Sequence, residues 1–335
     1  MSGKPYARPS RRSVLRGAAT VMGATALGLD GDLVRAETYP SRTVRIIVPF
    51  APAGPTDAMA RIVSAHLGET LGVSFLVENK AGAGGNIGIG EVARAAPDGY
   101  TLLITSSAFV VNPVLYAQAS YEPFKDFEPV CELATSSNVI LVRPELGINS
   151  VAELLARAKA ERDGLNYASA GVGTTPHLAA ELLKITAGIQ MTHVPYSGGG
   201  PAIQAILGGM VPVAFTALPP AHPHIKQGTV KALALTGTSR WFDLPDVPTM
   251  IELGFKDFIS DTFQGFLAPA RTPAAIIELL STKAIAVLKT PKVAEQLRNS
   301  GSEVIASGPD GMRRRIADEV PKWREVIAKA GIKPI

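Results

Sequence analysis

The sequence predicts an α/β fold with mostly parallel sheets, and three observations carry that expectation. Short apolar runs alternate with helical periodicities along most of the chain. Four of those runs end in a Gly-rich turn that opens directly into a helix, at 49–57, 79–88, 169–177 and 195–203. Two of the four precede residue 140 and two follow it, so the chain repeats one grammar in two halves. Its 335 residues are 46% apolar and 19% charged, enough for a substantial core and for two domains.

Residues 1–36 read as an address rather than as fold. Ser10-Arg11-Arg12-Ser13-Val14-Leu15-Arg16 precedes an Ala/Gly-rich run from Gly17 to Leu29, and Val34-Arg35-Ala36 supplies small residues for cleavage. This is the pattern of an export signal of twin-arginine type, whose removal leaves a chain starting near Glu37. The run is too short to span a membrane, and no later stretch is long enough. Lys4, Arg8, Arg11, Arg12 and Arg16 account for the net charge of +4, so no basic excess remains to suggest nucleic-acid binding. The single cysteine, Cys131, excludes an intramolecular disulfide and a multi-Cys metal site.

The elements follow in order. Val44-Arg45-Ile46-Ile47-Val48 is a buried strand. Pro49-Phe50-Ala51-Pro52-Ala53-Gly54-Pro55 keeps the chain extended and then turns it, and Thr56 or Asp57 can cap the helix that buries Ala60, Val63, Leu67 and Leu71. A strand at 74–77, a Gly-rich turn at 79–88 and a helix to Ala96 come next, then the strand Thr101–Thr105 with Ser106-Ser107 after it. Residues 129–133 and 139–142 give two apolar runs, and Ser150 with Glu153 forms a capping box for a helix to Ala160. Asn166–Ala170 is a strand, Gly171–Thr175 a turn, and Pro176 opens a helix to Ala187 with Thr175 as its cap. Met191–Tyr196, Ser197–Gly200 and Pro201 repeat the pattern. Strands at 211–216 and 230–235 and three helices, near 272–288, 291–300 and 309–330, complete the chain.

Backbone N–H groups at a strand-to-helix turn face the positive end of the helix dipole, so each of the four turns is a candidate anion cradle as well as an ordinary connection. In open α/β sheets ligands bind beyond the carboxyl ends of strands, where such turns gather. Gly82-Ala83-Gly84 with Gly88 has the wrong spacing for a dinucleotide fingerprint, and neither a phosphate-binding P-loop nor a nucleophile elbow is present. His222-Pro223-His224 lacks a third ligand, so no metal is expected. His177 lies beside the third turn, where it either holds the loop or touches ligand.

Six blocks carry a resemblance to one family. They are VPFAPAGPTD at 48–57, VENKAGAGGNIG at 77–88, APDGYTLL at 96–103, YASAGVGTTPHLAAELL at 167–183, HVPYSGGGPA at 193–202 and PDVPTMIELG at 245–254. In this order they resemble the Bug-type solute receptors, the extracytoplasmic components of tripartite tricarboxylate transporters. The resemblance implies a two-lobed, type II periplasmic-binding-protein-like fold, with a ligand cleft between lobes 37–140 plus 262–335 and 141–261. It implies a monomeric periplasmic protein, without cofactor, metal or catalytic residue, that captures a small organic carboxylate and passes it to a membrane permease. A secreted enzyme using His177 or His193, and a ligand-sensing receptor, are the alternatives. The turns and the resemblance together nominate ligand-binding residues: Phe50, Ala53, Gly54, Thr56 and Asp57; Gly84 and Asn86; Ser107; Ala170, Gly173, Thr174, Thr175 and His177; Tyr196; and Thr216. The sequence departs from the family pattern at Ala53, Ser197, Thr216 and Phe263-Gln264. Thr216 stands where an Asp is frequent, which removes a partner for a ligand amine and points to an acid that carries none.

Overall fold

The computed structural model describes residues 39–334 apart from positions 53 and 163, together with Gly3. Gly3 apart, the expected export signal lies outside the described residues, and so does Ala53.

Three strands of the first half lie side by side and parallel: β1 (Val44–Val48), β2 (Phe75–Asn79) and β3 (Thr101–Ser106). Each feeds a helix: α1 (Pro55–Leu71), α2 (Asn86–Ala93) and α3 (Ala108–Leu115). Then β4 (Phe127–Val142) runs through 16 residues where two apolar runs were expected. The polar stretch 134–138 between those runs does not break the strand, because it pairs with a polar stretch opposite, Ala134 with Gln264, Ser136 with Thr262 and Ser137 with Asp261.

The second half repeats the arrangement. After α4 (Val151–Ala160) come β5 (Leu165–Ser169), α5 (Thr175–Ala187), β6 (Met191–Pro195), α6 (Gly199–Leu207), β7 (Val213–Ala217), α7 (Leu218–Lys226) and β8 (Lys231–Leu235). β6 and β7 are both parallel to β5. The chain returns through β9 (Asp261–Pro269) to α8 (Ala274–Leu288), α9 (Pro291–Asn299), β10 (Glu303–Ser307) and α10 (Pro309–Lys329).

The strand order is β2-β1-β3-β9-β4-β7-β5-β6, with β8 and β10 also on β4. The outer strands are parallel, as expected, and every antiparallel pairing involves β4 or β9. The reason is connectivity: these two strands carry the chain from one half to the other and back, so they must run in opposite directions. Helices cover both faces of each half. Val44, Ile46 and Val48 pack under α1 and α8, while Ile47 packs with α2, α3 and α10. In the second half Ile140 and Val142 pack under α4 and α5, and Val139 and Leu141 under α6 and α7. This period-two alternation along a strand with two apolar faces is the sandwich that the near-continuous apolar runs predict. The halves pack closely, and Tyr39–Ile335 form one compact unit.

Candidate functional site

Parallel pairing aligns the carboxyl ends of β1, β2 and β3, with Val48 level with Asn79. It does the same for β5, β6 and β7, with Ser169 level with Pro195. The antiparallel strands then turn the two groups toward each other. β3 is antiparallel to β9, β9 to β4, and β7 to β4, so β3 and β7 run in opposite senses. Ser106 pairs with Gln264, which pairs with Ala134; Ala217 pairs with Asn138. The two sets of turns therefore face each other across the middle of β4.

The first turn is braced from β2. The Asn79 Nδ2 donates to the Phe50 carbonyl and to Asp57 Oδ1, each at 3.0 Å. Gly54, not Thr56 or Asp57, is the N-cap of α1, and it offers no side-chain cap. Asp57 lies in the first helical turn, buried, with Arg61 Nε at 2.9 Å, so its charge is already matched. Thr56 is buried beside it and Phe50 is half-buried.

The second turn needs its glycines. Gly84 has φ 65°, and a Cβ there would sit 2.6 Å from the Tyr116 hydroxyl. The Asn112 amide donates to the Gly84 carbonyl at 3.0 Å and to Asn86 Oδ1 at 3.3 Å, which leaves the buried Asn86 Nδ2 without a partner. Ser107 heads α3, but its hydroxyl accepts the Phe263 N–H at 2.9 Å and is turned to β9.

The third turn is the most densely bonded. Thr174, one residue before the expected Thr175, is the N-cap of α5, and its hydroxyl donates to the Gly171 carbonyl at 2.7 Å. Gly173 donates its N–H to His177 Nδ1 at 3.2 Å, so that N–H is spent within the protein and the imidazole holds the loop. The Thr174 N–H reaches the Gly171 carbonyl at 3.3 Å. Intrahelical bonding leaves the first N–H groups of α5 open, and with Pro176 contributing none, those of Thr175 and His177 head the helix. His177 stacks on His193 at 4.1 Å, and His193 stacks on Tyr167 at 5.0 Å. Burial pushes His177 down to about 4, with the Lys184 ammonium adding to the effect. Burial, followed by the neighbouring His177, pushes His193 down to about 3. Both rings are neutral near pH 7. Ser169 Oγ lies 2.6 Å from His193 Nε2, yet the serine is fully buried, so the pair braces the turn rather than offering a nucleophile.

Thr175 is buried and shares a short hydroxyl contact with Thr262, and its carbonyl accepts from Ser260 Oγ at 3.3 Å. The start of α5 is thus fastened to the crossing strand β9. Ala170 and Tyr196 are half-buried at the turn edges. Thr216 is fully buried and donates to the Ala217 carbonyl at 2.6 Å, which leaves its hydroxyl little freedom to meet a ligand. Among the described residues no group of His, Cys, Asp and Glu could hold a metal ion, and His222 instead pairs with Asp243 at 3.0 Å.

A cavity of about 300 Å³ bridges the halves, its lining including Gly54 and Met59 with Leu297 and Ser302 on one side, Pro219 and Pro220 on the other, and Gln264. Of the nominated residues only Gly54 lines it. Gln264 is one of the departures from the family pattern noted in the sequence, whereas Pro219 and Pro220 lie on a proline-rich helix that no turn or Gly-rich block announces.

The architecture recurs in known proteins. Residues 59–332 match the family model described as the tripartite tricarboxylate transporter family receptor. Protein BugT of Bordetella pertussis is 36% identical over 302 residues, 90% of this chain and 93% of that protein. Rpa4515 of R. palustris, solved with adipate, is 34% identical with a TM-score of 0.83, over 89% of this chain and 100% of that one. MatC of Rhodopseudomonas palustris, solved with bound malate, is 33% identical with a TM-score of 0.79, over 86% of this chain and 100% of that one. Solute-binding receptors, not enzymes, make up this family, and the chain belongs to it: it is a member of the tripartite tricarboxylate transporter receptors.

Proposed function

We propose that the protein captures a small organic carboxylate between lobes 37–140 plus 262–335 and 141–261, outside the cytoplasm, and delivers it to a tripartite tricarboxylate-type permease. The observation that carries the reading is the opposition of two sets of helix-opening turns across β4. Helix starts on both sides, each worth roughly half a positive charge, can offset a carboxylate without a cationic side chain. The open N–H groups of α1 and α5, the Thr56 and Ser107 hydroxyls and bridging water are its contacts, with Gly54, Asn86 and Thr175 nearest the helix starts. Adipate in Rpa4515 and malate in MatC support the ligand class. The sequence of residues 10–36 supports export, and no described helix is long and apolar enough to cross a membrane.

Asp57 is matched by Arg61, and Thr216 stands where an acid would meet an amine, so an acid without an amine is the expected ligand. Calorimetry with succinate against aspartate tests this. Succinate is expected to bind at one site per chain, without turnover, and at least tenfold tighter. Tighter binding of aspartate overturns the choice of ligand, and product formation overturns the receptor.

A further inference from the structure

The cavity between the halves contains a buried amide that the protein does not satisfy. Gln264 stands on β9, paired with Ser106 on one side and Ala134 on the other. It is only 3% exposed, and its Oε1 is buried with no donor. Among the described residues its amide makes no side-chain hydrogen bond at all. Buried polar groups are almost always paired, and one that is not, in a cavity wall, is completed by a ligand or by water.

The remainder of the wall sets the chemistry of what completes it. Gly54, Pro55, Met59, Pro219 and Pro220 line the cavity with Gln264; Gln296, Ser300 and Ser302 add polar groups along the α9 side, Gln296 being exposed, and none of the described lining residues carries a charge. Three of these are prolines standing at the starts of α1 and α7, and a proline has no N–H to offer. A second carboxylate placed here would lose its water and find no cation, and the Ser300 and Ser302 hydroxyls are already bonded, to the Leu297 carbonyl and to the Ser136 hydroxyl. An apolar body ending in one hydrogen-bonding group loses little and satisfies the amide. Gly54 belongs both to the first turn and to the cavity wall, so one ligand can reach from the turns into this space.

We propose that this cavity is the subsite for the far end of the ligand, and that the Gln264 carboxamide selects an acid whose apolar tail ends in an uncharged hydroxyl or carbonyl. The inference rests on the reading that a carboxylate sits at the turns. A carboxamide both donates and accepts, so it meets a hydroxyl in either role and a carbonyl through its NH₂.

Calorimetric titration of the purified protein with matched acids tests it: hexanoate against 6-hydroxyhexanoate, benzoate against 4-hydroxybenzoate, and adipate as a diacid of similar length. The hydroxylated member of at least one pair is expected to bind roughly 5–10-fold tighter than its partner, the usual net effect of one hydrogen bond, and tighter than adipate. In Gln264→Leu and in Gln264→Met that ratio is expected to fall toward one. Both variants remove an unpartnered buried amide, so their melting temperatures are expected at or above that of the native protein, which establishes that they fold. A ratio near one in both pairs with the native protein, a ratio that survives both substitutions, or adipate as the tightest ligand each overturns the subsite. If no acid of the set binds, the carboxylate reading itself falls and the subsite with it. If the plain acids bind without preference for a hydroxyl, that reading stands and the subsite alone is removed.

Discussion

His177 and His193 sit neutral inside a receptor that holds them by stacking and by the Gly173 N–H, and this has a pH signature. With folded values of about 4 and about 3 against an ordinary 6.5, the unfolded chain binds more protons than the folded one below pH 6.5. Stability must therefore fall as pH drops from 6.5 toward 4. Glu132 acts in the opposite sense. Burial pushes its carboxyl up to about 7, opposed by the Arg315 guanidinium, whose Nε lies 3.7 Å from it. The folded chain then keeps a proton that the unfolded carboxylate releases above about 4.5, so stability falls as pH rises through 4.5 to 7. The two slopes overlap and partly cancel. Glu132→Gln removes the second, so urea unfolding of that variant is expected to lose at least about 2 kcal/mol between pH 7 and pH 4.5, more than the native protein loses. A flat profile in Glu132→Gln would show that the imidazoles are not held neutral. Gly173 is the other exacting residue. Its φ is 78°, and a Cβ would lie 2.1 Å from Leu115 Cδ2. Gly173→Ala is expected to destabilise by about 2–3 kcal/mol, part backbone strain and part overlap. Adding Leu115→Ala should return only the overlap part relative to Leu115→Ala alone, and a double-mutant cycle in guanidinium measures it.

At the scale of elements, the crossing between the halves is fastened by one side chain. Asn138, fully buried on β4, donates to the Ser260 carbonyl at 3.1 Å and Ser260 Oγ at 3.0 Å, and its Oδ1 accepts from Thr262 at 3.2 Å. Its backbone N–H reaches Thr236 Oγ1 at 3.1 Å. Asn138→Ala leaves several of these buried groups unpaired, so a loss of about 2–4 kcal/mol is expected in the guanidinium midpoint. A loss below about 0.5 kcal/mol would mean that the network holds nothing. The same element shows where sequence reasoning ends. β1, β3, α1, α5 and the capping box at Ser150, whose Oγ accepts the Glu153 N–H at 3.1 Å, were legible because local signals set them: apolar runs, Pro at helix starts and a capping motif. β4 was legible only as two fragments, and β9, β10 and α7 were not legible at all. Their pairing partners are more than a hundred residues away, or their helix is studded with Pro219, Pro220 and Pro223, tolerated because two lie in the first turn. The site divides in the same way. Its turns were read correctly as places, but which of their N–H groups remain free depended on long-range partners such as His177, Asn112 and Thr262.

On the scale of the whole molecule, β4 and the return through β9 carry the chain between the halves, α5 packs against α10, and the expected ligand contacts lie on both halves. A ligand that touches both halves binds more tightly when they approach, and closure needs no further cause. The Asn138 network sits at the crossing, so closure is expected to bend the chain beside it, in the segments that leave β4 and enter β9. Solution X-ray scattering at saturating ligand tests the motion. A folded body of this size has a radius of gyration of about 19 Å, and a fall below the unliganded value is expected. An unchanged radius at confirmed saturation would sink closure in favour of a rigid, preformed pocket. Asn138→Ala sharpens the test, because loosening the crossing should change the unliganded radius more than the liganded one if ligand contacts hold the halves together. Equal changes in both states would place the restraint in the crossing strands alone.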